Sequence, residues 1–145
     1  MKHLRTLIAL SALVVLQTGA MAQCRAFAKH NCIPNLLPYK FNETFNAAQL
    51  ANGEEAEVDL TFYSGQEYRL MVCAQSILGN VNWKLTDATG QTLFESKAED
   101  PKDHFDFKVS NTQQMKIILD VPANAVGGNE MLHVGCVGIL VGFKE

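Results

Sequence analysis

Apolar and polar residues alternate through most of the chain, and the alternation is broken by turn-forming residues at intervals of 8–12. Over residues 57–63, Val58, Leu60 and Phe62 share one face, and Ser64-Gly65-Gln66 then turns the chain. Over residues 67–75, Tyr68, Leu70, Val72 and Ala74 share one parity. Gly79-Asn80 breaks the run, and Val81, Trp83 and Leu85 alternate with Asn82 and Lys84. Asp87-Ala88-Thr89-Gly90 carries glycine at the last position of a four-residue turn. A short strand over residues 91–96 follows. Phe105, Phe107 and Val109 then alternate with Asp106 and Lys108, and Ser110-Asn111-Thr112 turns again. A strand over residues 114–121 stops at Pro122, and a glycine-rich strand over residues 132–143 ends the pattern.

Period two punctuated in this way predicts a sandwich or a barrel. Seven strands are countable from residue 57 onward, and an eighth falls between residues 39 and 50. There the pattern is ambiguous, because Phe45, Ala48 and Leu50 also suit a short helix. The expected fold is all-β: an antiparallel, jelly-roll-like sandwich of about eight strands, stabilised by disulfides.

The N-terminus follows a different rule. Residues 1–5 carry Lys2 and Arg5, residues 7–16 are apolar, and Gln17, Thr18 and Gly19 end that run. Ala20-Met21-Ala22 places small residues at the −3 and −1 positions of a secretory cut. The apolar run is shorter than the roughly 20 residues that cross a bilayer. Residues 1–22 are therefore expected to be a cleavable signal peptide, and residues 23–145 one sandwich domain with an irregular N-terminal segment over 23–38. Cys24 follows Gln23, where a lipidated cysteine ordinarily follows a small residue. The expected address is periplasmic or extracellular, with no transmembrane segment in the mature chain.

Charge narrows the partners. Both leader charges are basic, so the mature chain sets ten Lys and Arg against fifteen Asp and Glu. That balance argues against nucleic acid, whose phosphates require a basic surface.

Cys24, Cys32, Cys73 and Cys136 all follow the cut, and an even number in an exported domain reads as two disulfides. Cys73 and Cys136 lie off the core parity of their strands, on the same kind of face. They suit a bridge between neighbouring strands, which gives the preferred pairing of Cys24 with Cys32 and Cys73 with Cys136. The alternative is that the N-terminal segment covers that face and pairs with both.

Candidate chemistry is sparse. No serine lies in a G-x-S-x-G elbow, no H-E-x-x-H is present, and no cofactor is expected. Glu99, Asp100 and Asp103, with Asp106 nearby, are a weak Ca²⁺ candidate that lacks the usual loop spacing. Tyr39, Phe41 and Phe45 are candidate binding aromatics, with closure of one end of the sandwich as the plainer role.

Three blocks carry a resemblance: residues 32–39 (CIPNLLPY), residues 60–75 from Leu60 through Tyr68-Arg69 to Cys73, and residues 135–144 (GCVGILVGFK). Together they resemble small exported proteins of Bacteroidota, which implies a Gram-negative envelope and no established activity. The hairpin over residues 65–69 and the turn over residues 87–90 are similar, more distantly, to pre-peptidase C-terminal and Golgi-dynamics-type β-sandwiches, which are accessory binding modules. The expected function is a non-enzymatic envelope module that contacts an envelope protein or an extracellular ligand. A glycan-binding accessory module comes next, and a small periplasmic hydrolase third.

Overall fold

The computed structural model describes residues 19–123 and 132–144. Residues 1–18 of the expected leader lie outside the described residues, and a cut after Ala22 leaves Cys24 with the mature chain.

The described part begins with helix α1 (Gly19–Phe27), continues through a π-helical turn (Ala28–Cys32) and a 3₁₀ turn (Ile33–Leu36), and reaches the sandwich through a cis Leu37-Pro38 bond. Nine strands follow. They are β1 (Lys40–Phe41), β2 (Asn46–Ala51), β3 (Glu55–Phe62), β4 (Glu67–Ala74), β5 (Asn82–Thr86), β6 (Thr92–Ser96), β7 (His104–Lys108), β8 (Gln113–Asp120) and β9 (Val134–Lys144). The seven strands expected beyond residue 57 are all present. The ambiguous stretch is strand: β1 and β2 both pair with β9, as one edge strand interrupted at residues 42–45.

One sheet runs β2-β9-β4-β7, with β1 beside β9, and the other runs β3-β8-β5-β6. Every ladder is antiparallel. From β2 onward successive strands cross between the sheets, except at the β5–β6 hairpin, so that each sheet interleaves early and late strands, which is the double Greek key of a jelly roll. The core between them takes Leu70 and Val72 from β4, Trp83 and Leu85 from β5, Met115, Ile117 and Leu119 from β8, and Val137, Ile139 and Val141 from β9. A run of rings, Trp83, Phe94, Phe105 and Phe107, crosses it with neighbouring centroids 4.5–5.6 Å apart.

Two expectations are corrected. The segment over residues 23–38 is not irregular. It is a helical strap laid across the outer face of the first sheet, with Cys24, Ala28, Cys32 and Leu36 fully buried beneath it. Those residues recur every four positions, and an α-helix turns every 3.6, so a straight helix would rotate the stripe off the sheet. The wider π turn in mid-strap takes up the difference. A second small core forms there, with Ala28, Cys32 and Leu36 against Met71 and Leu140. As a result β9 is buried on both faces, while β3 keeps the plain alternation of a one-sided strand.

The preferred disulfide pairing is also corrected. The bridges are Cys24–Cys136 and Cys32–Cys73, so the strap covers the face and pairs with both strand cysteines. Register explains why. Cys73 lies opposite Gly138, and Gln75 exchanges hydrogen bonds with Cys136. The two strand cysteines are therefore diagonal neighbours, typically about 7–8 Å apart, beyond the usual reach of a disulfide. Cys24 and Cys32 are two helical turns apart, about 12 Å along the axis. Among the described residues no cysteine is free, and no helix is long and apolar enough to cross a membrane.

Candidate functional site

The residues singled out from the sequence do not assemble into one site. Tyr39, Phe41 and Phe45 form no flat platform. Tyr39 is 4 % exposed. Its hydroxyl donates to Glu67 Oε1 at 2.5 Å, and Arg69 and Lys144 lie over its ring at 4.6 and 4.2 Å. Phe41 and Phe45 meet edge to face at 4.9 Å, pack against the small core under the strap, and hold Arg25 over the Phe45 ring. Their role is to close the strap onto the first sheet.

That closure is electrostatically complete. Arg69 donates to both carboxylate oxygens of Asp106 at 2.7 Å and to the Leu37 carbonyl at 3.0 Å. These bonds hold the Asp106 carboxyl below the ordinary range and raise Arg69. The Tyr39 hydroxyl lowers Glu67 in the same way. Burial first, and then Glu67, push the Tyr39 hydroxyl well above its usual value. These pairings tie Leu37 and Tyr39 to β4 and β7 and so anchor the end of the strap.

The calcium candidates do not converge. Asp100 accepts from Lys102 Nζ at 2.9 Å, Asp103 contacts His104 Nδ1 at 2.7 Å, and Glu99 lies on the other side of the loop facing the second sheet. Among the described residues no three His, Cys, Asp or Glu side chains are placed to hold a metal ion.

The outer face of the second sheet is different, because among the described residues no element covers it. Register arranges its side chains in rows across β3, β8, β5 and β6. Glu57, Ile118, Lys84 and Glu95 form the central row. Asp59, Lys116, Thr86 and Thr92 form the next. Glu55, Asp120 and Asn82 form the row on the opposite side. Two adjoining open depressions, of about 360 and 450 Å³, share Lys84 and Ile118.

The rim of this face is stiff. Asp87 Oδ1 accepts from the Thr89 hydroxyl and from the backbone of Thr89 and Gln91, which lowers its carboxyl. Asn82 Nδ2 donates to Asp120 at 2.8 Å, while Asn82 Oδ1 accepts from the Ala98 backbone at 2.6 Å. Lys116 is paired with Glu57 at 3.1 Å, which raises its pKa. Acids outnumber bases, with Glu55, Glu57, Asp59, Glu95 and Asp120 against Lys84, Lys97 and Lys116. The carboxylates stand side by side on one open surface, whereas glycoside cleavage places its pair on either side of the scissile bond.

Sequence reasoning passed over this face. The signal for it was Ile118, an apolar residue on the solvent parity of a strand that otherwise shows Gln114, Lys116 and Asp120 there.

No family model matches the chain, and no curated protein matches it. Among solved structures it is similar to PliG of Aeromonas hydrophila, a periplasmic lysozyme inhibitor of g-type lysozyme, at 8 % identity and a TM-score of 0.48, over 74 % of this chain and 89 % of that one. A likeness of that degree assigns neither a family nor a function.

Proposed function

We propose that the protein is an exported, non-enzymatic binding module that engages a protein partner through the outer face of its second sheet. The carrying observation is the opposite treatment of the two outer faces. The first is covered by a strap fixed with two disulfides and a closed ion network. The second is uncovered among the described residues and grooved, with a hydrogen-bonded rim and half-buried Ile118 at the centre of charged rows. Two structural disulfides also suit an oxidising compartment. A polar surface around one apolar contact is the anatomy of a modest protein interface. The glycan alternative loses its aromatic platform, because Tyr39 is buried and Phe41 and Phe45 are engaged under the strap.

The test is site-specific photo-crosslinking in the native cell envelope. A photo-reactive residue at position 118 should yield a discrete protein adduct, one at exposed Asn31 on the strap should not, and Lys84→Glu should abolish the adduct at 118. Equal adducts at both positions, or none at 118, would overturn the reading.

A further inference from the structure

The geometry points to a second docking element, at the open side of the sandwich between β2 and β3. It is a strand-addition site for an extended segment of a partner protein whose side chains alternate apolar and basic. The inference shares the β3 carboxylates with the sheet-face reading but stands on the strand edges and the slot between them.

β2 and β3 are consecutive but belong to different sheets, and among the described residues each has one neighbour only, β9 for β2 and β8 for β3. Each therefore carries a row of unpaired backbone groups along its other edge, the template to which a further strand adds. Between the two edges lies an apolar slot of about 140 Å³. Ala48 and Ala56 form its mouth, where small side chains leave the space unfilled, and Val58, Val137 and Ile139 form its walls. An apolar cavity of about 150 Å³ accommodates a benzene-sized group, so the slot takes one aliphatic or aromatic side chain.

A polar observation comes from Asn46, which also lines the slot. Among the described residues its Nδ2 is the one buried side-chain nitrogen or oxygen without a hydrogen-bond partner. Native structures rarely leave such a donor unanswered. A backbone carbonyl of an entering strand answers it.

The outward parity of β3 selects the occupant. Glu55, Glu57 and Asp59 recur at every second residue, while Ala56 and Val58 between them face the slot. An added strand has the same period of two. It sets its apolar residues toward the slot and its basic residues beside Glu55 and Asp59, while Glu57 keeps its pair with Lys116. A second copy of β3 is excluded as occupant, because carboxylates would then face carboxylates.

The experiment uses the full oxidised chain, isotopically labelled, titrated with a short synthetic peptide alternating lysine and valine. The control peptide has the same composition with its lysines and valines in separate blocks. The expected result is amide shifts confined to β2 and β3, slowed hydrogen exchange along β3, and at least about tenfold weaker binding of the block peptide. Ala48→Phe, which fills the slot, should weaken binding as much. Should that variant fail to fold, Asp59→Lys on the solvent face serves in its place with the same expectation. Equal binding of both peptides, shifts spread over β5 and β8, or no binding would overturn the proposal.

Discussion

Gly142 lies beneath Tyr39 so closely that a Cβ on the glycine would come within 2.7 Å of the tyrosine Cβ. The next atoms, Leu36 Cδ2 and the Lys40 carbonyl oxygen, would be at 3.4 and 3.5 Å. The colliding atom sits beside the backbone and cannot swing away, so any side chain at 142 lifts the C-terminal end of the strap.

Gly142→Ala is expected to destabilise the fold by about 1–3 kcal/mol, the usual cost of overpacking. Gly138→Ala places its methyl group 3.4 Å from Ala28 Cβ and should cost less. Urea unfolding of the two variants, compared by midpoint at unchanged slope, checks the order.

Removing the two bridges should not be equivalent. Cys24–Cys136 closes a loop of 112 residues and Cys32–Cys73 one of 41. Loop-closure entropy then assigns about 5 kcal/mol to the first and about 4 kcal/mol to the second. Paired Cys→Ser variants, unfolded under the same conditions, should follow that order. A non-reducing digest should yield linked peptides holding Cys24 with Cys136 and Cys32 with Cys73.

Acid should loosen the strap. Asp106, lowered by Arg69, and Glu67, lowered by the Tyr39 hydroxyl, bind fewer protons folded than unfolded. Their contribution is present above the unfolded carboxylate range near pH 4 and is lost as pH falls through the lower folded values. The urea midpoint should therefore drop as pH is lowered below about 4. Glu67→Gln and Asp106→Asn should begin lower at neutral pH and lose less on acidification.

Trp83 is the one tryptophan of the chain and is 2 % exposed. Its Nε1–H donates to the Lys102 carbonyl at 2.7 Å. Native emission should be blue-shifted and move red on unfolding. Trp83→Phe leaves the Lys102 carbonyl without its donor and should cost about 1–3 kcal/mol.

The sandwich was legible because its strands obey a local rule. Val58, Leu60 and Phe62, or Met115, Ile117 and Leu119, announce one buried face by period two alone. The turns were equally local: Gly65 and Gly90 both adopt φ of +85°, which explains glycine at those places. The strap was not legible, because its buried residues are two cysteines, an alanine and a leucine spaced four apart, a period that suits no single regular helix. The disulfide pairing depended on register, which places Cys73 opposite Gly138, and no periodicity reports register between strands 60 residues apart. Closure of one end of the sandwich is the plainer role that the sequence offers Tyr39, Phe41 and Phe45, but what they close, the strap against the first sheet, depends on an element whose pattern reads as irregular chain. The bare second face is polar as any solvent side is, and only Ile118 marks it.

The nested pattern of sulfur bonds, with Cys32–Cys73 inside the span of Cys24–Cys136, constrains the order of events when the chain is made. Cys24 and Cys32 are the first thiols to emerge, and each is destined for a partner in a later strand. Oxidation of nearest neighbours on a nascent chain would join these two and trap the strap as a closed ring, leaving the last strand without its covering. Cys32 must therefore wait for residue 73 and Cys24 for residue 136, or a premature bridge must be undone by exchange among the thiols. Thiolate attack on such a first bridge would release Cys24 and Cys32 again for their partners in the later strands.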